Sequence, residues 1–414
     1  MKLPVSEHRL ANGLRVVLSP DASIPVAALA LYYDVGSRNE EKGRSGFAHL
    51  FEHMMFQGSA NVGKAQHFAH IQGCGGQANA TTSEDRTNYY ATLPSNQLAL
   101  GLWLEADRMR SLQVTPENFE NQRQTVMEER RERVDDAPYG EAMVKLCELS
   151  WQCWSYGHPV IGYWDDLEAC TYDEVVDFHG RFYRPNNAVL ALAGDFEPSP
   201  TLALIEDYFG DIAAGPRPPA PDVEDPRRHD NRREVVSDGL ARLPVIFINH
   251  QAPGFGHRDF FAWEVLETAL LRGPSSRAHR RFVVDEQLAI QVSGGFDARR
   301  GPGLFSFTGV ASSPEGLEPI RAAWLEELER AAKEPLSQQE WGKVLARAKA
   351  AAVYSLEGVL GRAMQLGRAT LYVDEPEWEN RYLERLAKVR PEDVQRVASE
   401  WLQDGHVSLE VHPK

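Results

Sequence analysis

The sequence predicts an α+β protein of two homologous domains, each a mainly antiparallel sheet with helices packed on one face. Its 414 residues exceed what one hydrophobic core usually spans. A run with five prolines and almost no large apolar residue, residues 213–233, divides the chain near its middle. Both halves also repeat one order of elements. We therefore predict domains at residues 1–212 and 234–414, joined by a linker at residues 213–233.

The first half opens with a hairpin signal at Asn12-Gly13 and a continuous apolar run, Val26–Tyr33, that indicates a buried strand. A Gly36-Ser37 turn follows, and then a helix that carries two histidines. Further helices lead to a late apolar strand at residues 189–193. This half is predicted to hold the chemistry.

The second half repeats the order of buried strand, turn, helices and late strand. Its predicted elements are a strand at residues 245–249, a turn at Pro253-Gly254, a helix at about residues 258–271, long helical stretches over Leu317–Lys333 and residues 338–371, and a strand at residues 407–411. The repetition indicates a duplicated unit.

Composition excludes several classes of function. The formal charge of -16 disfavours a nucleic-acid partner and fits a basic or extended peptide, although an acidic balance more often serves solubility. No apolar run is long enough to cross a bilayer, and the first twenty residues lack a secretory signal core. The four cysteines form no CxxC pair, so we expect reduced thiols. A cytoplasmic location is expected, or a periplasmic or organellar one if a leader has been removed.

The informative motif is His49-Leu50-Phe51-Glu52-His53. The apolar residues around it recur at helical spacing, which predicts that one helix face packs in the core. The two histidines and the glutamate cluster on the opposite face. Histidines at i and i+4 can bind one metal ion, and a glutamate beside them can reach a metal-bound water. The alternative is a chance arrangement of surface residues on a helix.

A catalytic zinc ion needs a third protein ligand and leaves one position for water. The helix that begins at Thr115-Pro116-Glu117 carries candidate glutamates near its end. If Phe119 and Val126 mark its inward face, Glu129 lies nearest that face and Glu128 nearly opposite. We therefore predict one zinc ion per chain, held by His49, His53 and Glu129, with Glu52 as the catalytic base.

These residues resemble the pitrilysin and insulinase family of zinc metallopeptidases, which includes the mitochondrial processing peptidase. The resemblance covers nearly the whole chain, including Val35-Gly36-Ser37-Arg38-Asn39-Glu40 before the zinc motif and Val126-Met127-Glu128-Glu129 around the third ligand. It implies hydrolysis of extended or unfolded peptides inside a closed chamber. It also implies that Asn79, Ala80 and Thr81 lie on an edge strand that binds the substrate by β-augmentation.

The chain departs from the family pattern in two places. Gln122 stands where members often have a glutamate that supports the zinc ligands, so that charge is absent. Val283 and Ile290 stand where the family's second half usually has an arginine and a tyrosine that hold the substrate and the developing oxyanion. Neither side chain can donate a hydrogen bond. We therefore expect a homologous partner chain that supplies the pair, as a heterodimer in preference to a homodimer.

Two other functions compete with this interpretation. The first is a noncatalytic core or assembly subunit of the same fold, which would not need two histidines and two glutamates in register. The second is a zinc enzyme that acts on a smaller amide or an ester. Zinc stoichiometry tests the first, and a peptide-library digest tests the second.

Overall fold

The computed structural model describes residues 2–414, which form two compact units. The first unit contains the residues up to 129, residues 159–222 and residues 353–381. The second contains residues 130–158, 223–352 and 382–414. Each unit is built around one sheet.

The strands are β1 (Ser6–Arg9), β2 (Arg15–Pro20), β3 (Val26–Tyr33), β4 (Gln77–Thr82), β5 (Thr87–Pro94), β6 (Ala188–Gly194), β7 (Arg232–Asp238), β8 (Val245–Ala252), β9 (Gln291–Asp297), β10 (Gly303–Val310) and β11 (His406–Pro413). The helices are α1 (Phe47–Met54), α2 (Gln66–Gly73), α3 (Leu98–Ser111), α4 (Pro116–Arg130), α5 (Gly140–Ser150), α6 (Trp164–Ala169), α7 (Tyr172–Phe182), α8 (Pro198–Phe209), α9 (Phe260–Leu270), α10 (Leu317–Lys333), α11 (Gln338–Ser355), α12 (Val359–Val373), α13 (Trp378–Lys388) and α14 (Pro391–Trp401).

The two sheets share one topology. The first sheet has the order β1-β2-β6-β3-β5-β4, with β2 and β6 parallel and the other pairs antiparallel. The second has the order β7-β11-β8-β10-β9, with β7 and β11 parallel and the other pairs antiparallel. Without β1, the orders and directions match strand for strand. This confirms the predicted α+β class and its two related, mainly antiparallel sheets.

Both faces of the first sheet are covered, whereas the sequence predicted helices on one face. Along β3, the side chains of Leu29 and Leu31 pack into the core cluster that contains α1 and α3. The alternate side chains, such as Ala28 and Ala30, pack against Ala363 and other residues of α12. Likewise α5 packs on the second sheet, where Leu146 and Leu149 contact Phe247 and Leu409. Each sheet therefore gains a helix on its second face.

Those two helices come from opposite halves of the chain. Helix α5 precedes the proline-rich segment yet belongs to the second unit, and α12 follows it yet belongs to the first. The compact units thus do not coincide with the linear ranges 1–212 and 234–414. Apolar residues that recur every 3.6 positions show that a helix has an apolar face, but they do not show which sheet that face will cover. Residues 213–231, within the predicted linker, form no helix or strand.

The helix predicted over residues 338–371 is two helices. Helix α11 ends at Ser355, and α12 begins after Gly358, whose backbone is extended (φ -83°, ψ 142°). Glycine disfavours a helix interior by about 1 kcal/mol relative to alanine, which makes it a natural break point. The chain passes from the second unit to the first between Ala352 and Val353, in the last turn of α11 and just before this break.

No helix within residues 2–414 is both long enough and apolar enough to span a bilayer.

Candidate metal site

Helix α1 begins at a position that only glycine fills easily. Gly46 is its N-cap in the left-handed region (φ 89°), and a Cβ there would lie 2.8 Å from the Ile161 carbonyl oxygen. The buried Glu40 carboxylate accepts hydrogen bonds from the backbone N–H groups of Gly46 (2.9 Å) and Ala48 (2.7 Å). A negative charge at this end favours the helix through its dipole. The start of α1 is thus held from two sides.

The two faces of α1 differ as the apolar spacing predicts. Phe47, Leu50, Phe51 and Met54 are buried in the core of the first unit. His49 and His53 lie on the other side with 13% and 23% of their side chains exposed. The centres of their rings are 4.9 Å apart. The packed face therefore fixes the direction in which both imidazoles point.

Helix α4 brings Glu129 to the two histidines. The Thr115 hydroxyl caps its first turn by accepting the Asn118 N–H (3.1 Å), and Phe119 and Val126 are buried along its inward face. The Glu129 carboxylate oxygens lie 3.7 Å from His49 Nε2 and 3.3 Å from His53 Nε2. Glu128 is exposed. The helix then continues into a π-helical turn, Arg131–Asp135.

The three side chains fit a zinc ion. One donor atom from each of His49, His53 and Glu129 lies within 4.8 Å of the other two. Ligand bonds of ~2.0–2.1 Å in a tetrahedron place donor atoms about 3.3 Å apart, so small side-chain shifts would close the site. Two imidazoles and one carboxylate also leave a fourth position for water. Within the described part of the chain, this is the group of metal-ligating side chains that comes together.

Glu52 lies beside this group and is tied to the first sheet. The Thr82 hydroxyl donates a hydrogen bond to Glu52 Oε2 (2.6 Å). Burial raises the pKa of the Glu52 carboxyl, and nearby Glu129 acts in the same direction. The Thr82 hydrogen bond and the charges of His53 and Arg86 act to lower that pKa. A carboxyl under opposing influences of this kind is typical of a proton-transfer group.

Strand β4, which carries Asn79, Ala80 and Thr81, is an edge of the first sheet. The Ser83 N–H donates to the Arg86 carbonyl (2.9 Å), which marks a hydrogen-bonded pair at the hairpin end. Hydrogen-bonded and non-hydrogen-bonded pairs alternate along an antiparallel ladder. Asn79 and Thr81 therefore pair with β5 through their backbones, and Ala80 turns its backbone groups to the free edge. Its N–H is occupied by the side chain of Asn79, through Oδ1 at 2.9 Å.

The remaining predicted residues are Gln122, Val283 and Ile290. Gln122 is buried on α4, and its amide donates to Asn121 (2.8 Å). Val283 lies in a π-helical segment of the second unit, His279–Asp285. The side chain of Ile290, also in that unit, is about half exposed (51%). The structure thus brings together His49, Glu52, His53 and Glu129, with Thr82 beside them.

Two contributors were not singled out from the sequence. Glu40 reaches α1 from a loop, and apart from its place in the family resemblance, no local pattern distinguishes a capping glutamate seven positions before the first helical residue from a surface charge. Thr82 contacts Glu52 across thirty positions of sequence. Finding that hydrogen bond would have required a prediction of how β4 packs against α1.

Two family models match the chain. Residues 15–162 match the model described as insulinase (peptidase family M16), and residues 169–348 match the model of the peptidase M16 inactive domain. The first match includes His49, Glu52, His53 and Glu129, and the second includes Val283 and Ile290. Together the matches cover most of the sequence.

Similar proteins agree with these models. The zinc protease PqqE of Helicobacter pylori is 28% identical over 398 residues, which are 95% of this chain and 89% of that protein. The crystal structure of a protease from Helicobacter pylori superposes with a TM-score of 0.94 at 27% identity and covers 100% of both chains. The bovine mitochondrial-processing peptidase subunit beta is 26% identical over 261 residues, which are 63% of this chain and 53% of that subunit.

Proposed function

The chain belongs to the insulinase family of peptidases, family M16, and on that premise we propose that it is a zinc-dependent endopeptidase for extended or unfolded peptides. The observation that carries this proposal is the meeting of two histidines and a glutamate from separate helices beside a partly buried second glutamate. Its relatives include proteins named zinc proteases, which supports the choice of both the metal and the substrate class.

His49, His53 and Glu129 would hold the zinc ion, one per chain. Bound zinc lowers the pKa of a coordinated water to about 7 and polarises a carbonyl oxygen. Glu52 would accept a proton from a water held beside the three ligands as that water attacks the peptide carbonyl, and would then deliver the proton to the leaving amine. One glutamate can serve both steps because it receives the proton in the first and returns it in the second.

The peptide would bind along β4 as an added strand. Ala80 turns its N–H and carbonyl to the free edge, which are the groups that an extended peptide can pair with. The Asn79 side chain occupies the Ala80 N–H and would have to rotate away as the peptide arrives. Thr81 pairs with β5 and keeps the strand in place. Main-chain pairing of this kind accepts many sequences, which fits an enzyme for unfolded segments.

The replacement Glu52→Gln tests the proposed reaction. The variant should bind one zinc ion, as the wild type does, because none of the three proposed ligands changes. It should lose peptide hydrolysis by roughly 10²–10⁴-fold, the usual contribution of a general acid–base group. Metal analysis of the purified variant and cleavage of an internally quenched long peptide measure both. Retained hydrolysis would remove Glu52 from its role, and zinc content near zero in the wild type would favour a noncatalytic subunit.

We further propose that a homologous chain completes the site. Val283 and Ile290 offer no donors for the developing oxyanion, and loss of one such donor typically costs ~10²–10³ in rate. The likeness to a protein named as a subunit of the mitochondrial-processing peptidase supports pairing, with a heterodimer favoured. Adding a co-purified homologous companion should raise the cleavage rate by about 10²-fold. A full rate from the purified chain alone would contradict this part of the proposal.

A cytoplasmic location is also part of the proposal, and fractionation of the native cells tests it.

A further inference from the structure

We propose that Thr82 is a positioning residue that ties the peptide-binding edge strand to the general base Glu52. The inference rests on the proposed function and adds to it a link between substrate binding and proton transfer. It starts from one contact, the hydrogen bond of 2.6 Å from the Thr82 hydroxyl to Glu52 Oε2. The position of Thr82 on β4 gives that contact its meaning.

The alternating directions of side chains and backbone groups along β4 place the Thr82 side chain and the Thr82 backbone in different surroundings. The Ala80 side chain is buried in the core that also contains α1, and side chains at i and i+2 share a face of a strand. The Thr82 side chain therefore points toward α1. Its backbone belongs to the same set as that of Ala80, so its N–H and carbonyl face the free edge. One residue thus offers a hydroxyl to the base and a backbone to the peptide.

The hydroxyl restricts a flexible carboxylate. Glutamate has three rotatable side-chain bonds, and the bond from Thr82 is the side-chain hydrogen bond that Glu52 makes among residues 2–414. It engages one oxygen, Oε2, and leaves Oε1 available to accept a proton from a water molecule. Hydrogen bonds to an ionised carboxylate are stronger than neutral ones, so this bond can select one orientation. Without it, Glu52 would spread over several rotamers in the same partly buried space.

The end of β4 is itself held in place. The Arg86 guanidinium donates to the Thr81 carbonyl (3.1 Å), and the Thr81 hydroxyl donates to Asn88 Oδ1 (2.7 Å). The strand next to Thr82 is therefore fixed against β5 whether or not a peptide is present. A peptide that pairs with this edge would find the base already oriented relative to its own backbone. Register on the strand then sets which peptide bond faces Glu52.

Three replacements test the assignment. Thr82→Val keeps the shape and removes the hydroxyl, Thr82→Ser keeps the hydroxyl and removes a methyl group, and Thr92→Val makes the same change on β5, opposite Gln77. We expect kcat of Thr82→Val to fall roughly 10–100-fold, the range for losing a hydrogen bond to a charged group. KM should change less than about threefold, and Thr82→Ser should recover most of the rate. Thr92→Val should resemble the wild type.

A second readout separates positioning from a structural role. Zinc-loaded Glu52→Gln and the double variant Glu52→Gln/Thr82→Val should bind one uncleaved peptide with equal affinity and carry equal zinc. If the double variant binds the peptide or zinc more weakly, Thr82 supports the strand or the metal, and the proposal is overturned. Unchanged kcat in Thr82→Val overturns it as well. Failure of the proposed function looks different, because wild-type protein with a full zinc complement would then cleave no peptide.

Discussion

Helices α1 and α9 occupy the same place in two sheets of the same topology, but only α1 presents polar side chains to a site. Both follow the central strand of their sheet and precede its edge strand. His49, Glu52 and His53 leave one side of α1 partly exposed. Every residue of α9 except Glu264 is buried, and its Trp263 contacts Phe296 and Phe305.

This difference shows how one scaffold can serve two purposes. In the second unit, the buried Glu267 carboxylate of α9 is bound by Arg272 (2.8 Å), so its charge is neutralised locally. In the first, Glu52 meets only a hydroxyl at hydrogen-bond distance among residues 2–414, which leaves its charge available for proton transfer. The shared topology therefore places a helix next to the edge strand in each unit. A few side chains decide whether that helix only packs in the core or also presents polar groups to a site.

The largest expected effect comes from removing the proposed third ligand. Glu129→Gln replaces an anionic ligand with a neutral amide, and peptide hydrolysis should fall more than about 10³-fold with loss of zinc. The neighbouring replacement Glu128→Gln removes the same charge at an exposed position, and this variant should keep its zinc and its rate of peptide hydrolysis. Zinc analysis and peptide cleavage measure the pair. Equal zinc loss in both variants would break the contrast between the two glutamates.

The corresponding change in α9 should affect stability instead of zinc. Trp263 is fully buried, so Trp263→Ala should lower the free energy of unfolding by about 3–5 kcal/mol through the cavity that it leaves. Zinc content of the folded fraction should stay at the wild-type level, because the proposed ligands lie in the first unit. Denaturant unfolding and metal analysis check the two parts. A stability change below 1 kcal/mol would mean that α9 is not held by packing as described.

Histidines in the second unit should make stability depend on pH. His250 and His406 lie opposite each other on β8 and β11 with ring centres 5.2 Å apart. Burial lowers the pKa of His250 to about 3 and also lowers that of His406. Below pH 6.5 the unfolded chain takes up protons that the folded chain refuses, so stability falls by about 1.4 kcal/mol per pH unit for each histidine until the pH nears the folded pKa.

Urea unfolding between pH 7.5 and 5.5 tests this dependence. The replacement His250→Leu removes one of the two buried rings and should reduce the slope of stability against pH. His70→Gln, at an exposed position on α2, should leave the slope as it is in the wild type. Equal slopes in all three proteins would show that His250 gains no proton on unfolding.

The smallest expected effect concerns the helix that covers the first sheet. Asp21 forms an ion pair with Arg362 of α12 (2.6 Å). The hydrogen bonds that the Asp21 carboxylate accepts from Arg362 and Ser23 lower its pKa to about 2. Because the pKa of Asp21 is lower in the folded chain than in the unfolded chain, ionised Asp21 stabilises the fold above pH ~4. This stabilisation is lost as the pH falls through about 2. Because Asp21 is partly exposed, Asp21→Asn should cost about 1 kcal/mol at pH 7. Thermal unfolding should show the difference narrowing between pH 5 and pH 3.

Much of the fold could be predicted because its signals are local. The apolar stripe of α1, the continuous run of β3 and the capped start of α4 each lie within fifteen residues of sequence. The family resemblance extended these to the roles proposed for the edge strand. The predicted α+β class with two related sheets is confirmed by the observed topology.

What could not be predicted depends on contacts between distant segments. The assignment of α5 and α12 to sheets depends on packing between segments far apart in sequence, and no periodicity encodes that packing. The cap from Glu40 and the bond from Thr82 join residues whose proximity follows from the tertiary structure alone. The break at Gly358 was visible as a glycine but competed with a strong helical pattern on both sides.

The placement of α12 has a consequence during synthesis. The strands of the first sheet are complete once residue 194 has been made, but the helix that covers their second face ends at residue 373. A nascent chain on the ribosome would therefore carry an uncovered apolar surface while residues 195–373 are made. If the gene were cut at the proline-rich segment, the N-terminal product would keep that apolar surface uncovered. The C-terminal product would contain α12 without the sheet that it covers. The chain should need chaperone protection while it emerges, and its two halves should recover their structure only when they are produced together.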